Sequence, residues 1–456
     1  MQSMLCYIRP IWLASVCARW RQIALAEPRL WSTINITYRR EVPDLHRNSW
    51  TPPLELVQQW ITRSGALPLH IVLGWEEAPE SEDGALGEII QILCEQCHRW
   101  RSLYIQVPPT AMLFFQAARS GSTIDLDYLS INLGDISDHP AMMGETILRP
   151  RHAALQSPPW VAGSYSWTNM VTLTISNANP YECLDIIQQA KQLESLNVVF
   201  IRTGEDEDIL PPAEPVISAR LREINIGFLT NGTLDEFFLN IRAPELESLE
   251  LIRYADRGTH IPLDFLAPML LQSGSGEKMR ELTLAGMACS SEDLLDLLHG
   301  LSGLSQLTML YHRAGDIPPP LNVLFDTLVA TSSYFEDAAN TVSFLPRLLA
   351  FSYRGPRTFL WSAIADILHA HNADIVDTLS KRPLESLVTL LVPSMVRDDY
   401  IDRETLVRLL ALQPWSRAKL GLKEELFRAS FEHHGMDCPL SPSSIPGHIV
   451  TYPWSY

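Results

Sequence analysis

Leu246-Glu247-Ser248-Leu249-Glu250-Leu251 has the spacing L-x-x-L-x-L, and its companions along the chain decide the fold. The same apolar spacing occurs at Trp100/Leu103/Ile105, Leu126/Leu129/Ile131, Met170/Leu173/Ile175 and Leu193/Leu196/Val198. It continues at Leu221/Ile224/Ile226, Met279/Leu282/Leu284 and Leu304/Leu307/Met309, with weaker copies at Leu348/Phe351/Tyr353 and Leu384/Leu387. In every copy but Leu384/Leu387, the last two apolar residues flank a single residue, the period of a strand with one buried face. Central positions 103, 129, 173, 196, 224, 249, 282 and 307 are separated by 26, 44, 23, 28, 25, 33 and 25 residues.

Most of these intervals fit a leucine-rich repeat of about 20–29 residues, and the intervals of 44 and 33 predict insertions. Helical patterns fill the gaps: 180–191 after Asn179, 234–241 after Thr233, 291–299 after Ser290, and 359–370. Ser290 is placed to cap its helix, with Glu292 and Asp293 in the first turn against the positive end of the helix dipole. One strand–turn–helix unit cannot bury its own apolar face, so neighbouring units must share a core. The sequence predicts an α/β fold: an irregular leucine-rich-repeat solenoid, parallel strands on its concave face and helices outside. The residue between the last two apolar positions points away from the core. Thr174, Asn197, Asn225, Glu250, Thr283 and Thr308 are thus the expected concave-face partner-binding residues, beside Glu223, Ser248, Glu281 and Gln306. Such faces bind protein partners. Where regular repeats carry an asparagine after the strand, this chain has Ala178, Ile201, Leu229, Tyr254, Met287 and His312, so no asparagine ladder is expected.

The chain has 456 residues, 53 acidic against 35 basic, for a formal net charge of −18. That sign repels phosphate backbones, and nucleic acid is not an expected partner. No run of 18 apolar residues is present, so no membrane span is expected. Seven scattered cysteines, an odd number, predict reduced thiols and a cytoplasmic or nuclear location. Cys94-Glu95-Gln96-Cys97-His98 spells the C-x-x-C-H pattern of c-type haem attachment. It lies inside an amphipathic helical pattern over 85–100, with Ile89, Ile90, Leu93 and Cys97 on the apolar face, which makes these core cysteines. A structural zinc site needs four ligands, and no second pair is spaced to complete one. No cofactor or metal is expected. The patterns H-E-x-x-H, G-x-S-x-G, G-x-G-x-x-G and the P-loop are absent from the sequence, and no enzyme is expected.

Residues 11–26 read as one helix, with Trp12, Val16, Trp20 and Ile23 on a single stripe, ended by Pro28. Residues 30–36 are β-like, 54–63 form a second amphipathic helix closed by Gly65, 68–73 alternate as a strand, and 76–84 form an acidic loop. Val16-Cys17-Ala18-Arg19-Trp20-Arg21-Gln22-Ile23-Ala24, followed by Pro28-Arg29-Leu30-Trp31-Ser32, resembles the second half of an F-box. Trp60-Ile61-Thr62-Arg63-Ser64-Gly65-Ala66-Leu67-Pro68-Leu69 is similar to a segment that trails the F-box in mushroom-type fungal F-box proteins, which continue into irregular leucine-rich repeats. The resemblance implies a substrate-recognition subunit of a Skp–Cullin–F-box ubiquitin ligase. Val16, Trp20, Ile23, Leu30 and Trp31 would meet the Skp-type adaptor, and the repeats would hold a protein target. The family's opening L-P-x-E-x-L helix has no counterpart in residues 1–10, so the resemblance implies weak adaptor binding by the chain as written. The alternative is a repeat-based interaction scaffold with a decayed F-box and no ligase role. The expected organisation is a partial F-box-like segment (1–38), a connecting helix, strand and acidic loop (39–84), the repeats (85–415), and a C-terminal helix with a Pro/Ser tail (416–456).

Overall fold

A computed structural model describes residues 10–39, 49–75, 84–107, 111, 112, 114, 115, 123–133, 147–156, 165–201, 212–228, 232–254, 263, 265–311, 319–331, 344–372, 384, 386–391, 401–412, 419–422, 430, 433 and 434. The chain divides into two units, residues 1–255 with 268–275, and residues 256–267 with 276–456. Of the acidic loop read at 76–84, residues 76–83 lie outside the described residues and Gly84 opens a helix; the Pro/Ser tail beyond Cys438 also lies outside them.

The strands of the first unit are β1 (Thr33–Arg39), β2 (Ser49–Thr51), β3 (Leu69–Trp75), β4 (Trp100–Gln106), β5 (Thr123–Asn132) and β6 (Ile147–Gln156). They continue with β7 (Thr172–Ser176), β8 (Ser195–Ile201), β9 (Val216–Ile217), β10 (Glu223–Phe228), β11 (Ile241–Arg242) and β12 (Ser248–Arg253). Ten of them lie in the order β2-β1-β3-β4-β5-β6-β7-β8-β10-β12, while β9 and β11 pair separately. Every pairing is parallel except β1 with β2. The long connections between the parallel neighbours permit this, since a parallel pair needs a crossover of about a dozen residues or more.

One row of side chains runs across this sheet. Ile34, Ile71, Leu103, Leu129, Ala153, Leu173, Leu196, Ile224 and Leu249 are successive register partners. All nine are buried. Pairing thus begins upstream of residue 85, with β1 and β3. The 44-residue interval is not a plain insertion: β6 sits inside it, with Ala153 paired to both Leu129 and Leu173. Its centre is an alanine and its approach holds Pro150 and His152, so the strand shows too little apolar character to stand out.

The backbone repeats as well. The Val171 carbonyl accepts the Glu194 and Ser195 amides, the Glu194 carbonyl those of Arg222 and Glu223, and the Arg222 carbonyl those of Glu247 and Ser248. In place of an asparagine ladder, the Ala178 amide donates to the Phe200 carbonyl and the Tyr254 amide to the Phe228 carbonyl.

Helices cover the buried face. Residues 11–26 are not one helix but two, α1 (Pro10–Val16) and α2 (Ala18–Ala26), broken where Cys17 is extended. The break is held by the Arg21 guanidinium, which donates from Nε to the Ala14 carbonyl at the end of α1 (2.9 Å), a local satisfaction of an orphan helix carbonyl that periodicity does not reveal. Next come α3 (Leu54–Arg63), closed by Gly65 at φ +59°, and α4 (Gly84–Glu95). A capping box between Asn179 and Glu182 starts α5 (Pro180–Gln189). Then follow α6 (Gly232–Leu239) and α7 (Leu266–Ser273), whose Ser273 hydroxyl accepts the Ala243 amide at 3.1 Å.

The second unit repeats the scheme with β13 (Glu281–Ala285), β14 (Gln306–Leu310), β15 (Ala350–Gly355), β16 (Ser386–Leu391) and β17 (Lys419–Leu422), all parallel and in chain order. Its helices are α8 (Ser291–His299), α9 (Asn322–Ala330), α10 (Trp361–Asn372) and α11 (Arg403–Leu412). Ser290 caps α8 through a capping box with Asp293. Leu282, Leu307, Phe351 and Leu387 form the buried row, and Phe325 on α9 meets Phe351 edge-on at 5.6 Å. Residues 419–422, expected within a C-terminal helix and tail, instead form β17, because β16 offers them a parallel ladder with Leu420 opposite Leu387.

Leu249 is fully enclosed, so Leu249→Ala should destabilise the first unit by about 2–5 kcal/mol in denaturant titration. A loss below about 1 kcal/mol would contradict this packing.

Candidate functional site

Two surfaces concentrate the residues singled out in the sequence. The first is the α1–α2 pair. Val16 is 64% exposed, Trp20 50% and Ile23 58%, joined by Ile11, Trp12 and Leu25. Leu30 is half-buried. Trp31 departs from expectation: it is 1% exposed. Its indole donates from Nε1 to the Ala24 carbonyl (2.7 Å), it meets Trp60 edge-on at 6.0 Å, and the Arg63 guanidinium lies 4.6 Å over its ring. Trp31 therefore ties the end of α2 to α3 and does not present itself to a partner.

The second surface is the sheet face opposite the buried row. In the first unit Thr174, Asn197, Asn225 and Glu250 are register partners across β7, β8, β10 and β12. All four are half-exposed. The second unit places Thr283 beside Thr308, and Thr308 beside Ser352. Neighbouring rows are also polar: Ser102, Tyr128, His152 and Thr172 are register partners, and His152 Nδ1 lies 2.8 Å from the Thr172 hydroxyl. Farther toward the strand starts, Arg149 pairs with Asp125 (2.5 and 2.8 Å) and Arg101 with Asp127 (2.6 Å). The Arg149 hydrogen bond holds the Asp125 carboxyl below its ordinary range.

Glu250 has the least ordinary environment in its row. Burial raises its carboxyl above the usual range, and the amide of Asn225, donating from Nδ2 to Oε2 at 2.6 Å, opposes that shift. One pleat along, β8 carries an extra residue against β10: Val198 faces Ile226 and Ile201 faces Phe228. This bulge leaves both Val199 and Phe200 off the buried positions. The Phe200 ring lies 4.7 Å from that of Tyr254. Gly227 makes room for them, because a Cβ there would strike the Val199 carbonyl oxygen and the Tyr254 ring. Val199, Phe200, Ile252 and Tyr254 thus form a half-exposed apolar shelf above the polar row. Sequence reading missed this shelf. Tyr254 stood at an asparagine position of the repeat, and a bulge leaves no mark in apolar periodicity; the unbranched Gly227 inside a strand was the one available signal.

Cys94 and Cys97 are buried, and His98 is exposed on the turn that follows α4. Burial, aided by Cys97, pushes the Cys94 thiol up to about 12. Among the described residues, no three His, Cys, Asp or Glu side chains converge as metal ligands would, and no helix is long and apolar enough to cross a membrane. Neither a protein-family model nor a curated protein sequence matches the chain.

The raised pKa of Glu250 has a thermodynamic consequence. Its carboxyl ionises less readily in the fold than in the unfolded chain, so stability is lost as pH rises through the raised value and is regained below the ordinary value of 4.5. Glu250→Gln should therefore raise the thermal midpoint at pH 7, and the gain should vanish below pH 4.5. Paired melts at the two pH values check this; a gain independent of pH would contradict it.

Proposed function

We propose that the chain is the substrate-recognition subunit of a Skp–Cullin–F-box type ubiquitin ligase, built as an irregular leucine-rich-repeat solenoid behind a partial F-box-like segment. The observation that carries this reading is the exposed apolar surface of α1 and α2, formed by Ile11, Trp12, Val16, Trp20, Ile23 and Leu25. Large apolar groups clustered at a surface mark an interaction site, and tryptophan is the residue type that most often dominates one. The motif resemblance at residues 16–32 supplies the partner, a Skp-type adaptor of a Cullin–RING ligase. The in-register polar face of the sheet is then where a protein target is held, and the subunit catalyses nothing itself.

A second reading is favoured by one observation. Trp31, an adaptor contact implied by the resemblance, is enclosed between α2 and α3. An interface lacking it is smaller, which suits a leucine-rich-repeat interaction scaffold with no ligase role.

Calorimetric titration of the full chain with the Skp-type adaptor separates the two. The ligase reading expects weak, saturable binding, with Trp20→Ala weakening it by about 2 kcal/mol or more and Trp31→Phe, which keeps the core filled, changing it little. Absence of heat at high adaptor concentration would leave the scaffold.

A further inference from the structure

We propose that the open face of β8, β10 and β12 holds an arginine or lysine side chain of a peptide segment, its charge against Glu250 and its methylene stem against Phe200 and Tyr254. The proposal rests on the reading of the chain as a protein-binding subunit and assigns the chemistry of what it binds.

Four observations converge. Glu250 is half-buried, and among the described residues its one hydrogen-bond donor is the Asn225 amide. A carboxylate has two oxygens and about four acceptor directions, so most of its capacity is open. A carboxylate withdrawn from water is stabilised chiefly by a cation with N–H donors. Among the described residues, the side chains of this face supply no cation. The side chains on this side of the three strands are Ser195, Asn197, Val199 and Phe200 on β8, Glu223 and Asn225 on β10, and Ser248, Glu250 and Ile252 on β12, with Tyr254 just beyond. Two are acids and none is lysine or arginine, in a chain of net charge −18.

The aromatic pair fixes the class of cation. Phe200 and Tyr254 lie 4.7 Å apart and are half-exposed. The Tyr254 ring leans back over Gly227, which is one pleat, about 7 Å, along β10 from Asn225, the residue that holds the Glu250 carboxylate. A carboxylate at one end of such a span and ring faces at the other match a side chain with an apolar stem and a charged tip. Metal ions lack the stem, and an apolar ligand would leave the carboxylate without its counter-charge. Beside this spot the Thr174 hydroxyl and the Asn197 and Asn225 amides offer both donors and acceptors, which suit the backbone of an extended peptide rather than a compact metabolite.

The probe is a fluorescein-labelled peptide with Leu-Arg-Leu in a Gly/Ser frame, matched to one carrying citrulline, the neutral isostere of arginine. Fluorescence anisotropy with the full chain should show saturable binding of the arginine peptide and binding about tenfold weaker for citrulline. Glu250→Gln, which preserves shape, should abolish the preference by weakening the arginine peptide alone. Tyr254→Phe should preserve binding of both, and Tyr254→Ala should weaken both. Absence of saturable binding, equal binding of the two peptides, or a preference that survives Glu250→Gln would overturn the proposal. Adaptor titration of the same sample keeps the two readings separate. Adaptor binding without peptide binding removes only the cation site, and peptide binding without adaptor binding removes only the ligase role.

Discussion

Lateral alignment of one buried side chain per strand is the constraint on which the first unit depends. A parallel strand whose register slips by one residue turns its apolar side chains to water and its polar ones to the core. From Ile34 to Leu249 that alignment holds through nine strands, although the connections between them differ widely in length. The carbonyls of Val171, Glu194 and Arg222 each receive two amides at the start of the following strand. Insertions are absorbed between strands without disturbing the row. Ala153 shows how little side chain the row requires when its neighbours are Leu129 and Leu173.

The same alignment produces the polar face of the sheet. Register that aligns leucines on one face necessarily aligns Thr174, Asn197, Asn225 and Glu250 on the other. A row of hydroxyl, amide and carboxylate groups is therefore a by-product of core formation, available to be tuned. The regularity is broken where the β8 bulge releases Phe200 from the core and Gly227 clears the backbone for the Tyr254 ring. Half-burial of Glu250 beside that shelf raises its carboxyl above the usual range, against the Asn225 hydrogen bond that opposes the shift.

Two tryptophans eleven residues apart illustrate opposite uses of one residue type. Trp31 lies under Arg63 and against Trp60, with its indole N–H bonded to Ala24. Trp20 lies half in solvent among other apolar groups on α2. The extended backbone at Cys17 ends α1 and starts α2, so residues 11–26 do not form one rod. With the stripe of residues 11–26 divided between two short helices, the larger part of its apolar area stays outside.

Sequence alone determined the strands whose centres are large and apolar, the helices with clear caps at Asn179 and Ser290, and the polar row, because each depends on spacing within a few residues. Alternation with period 2 is a local property, and so is a side chain reaching the amide three residues on. Tertiary structure decided the rest. β6 and β17 exist because neighbouring strands offer them a ladder, not because their own residues demand one. The burial of Trp31 and the shelf of Phe200 and Tyr254 depend on contacts between residues far apart in the chain or on a bulge that only a partner strand defines. Exposure of a side chain is set by what packs over it, and no spacing within a single segment encodes what another segment will cover.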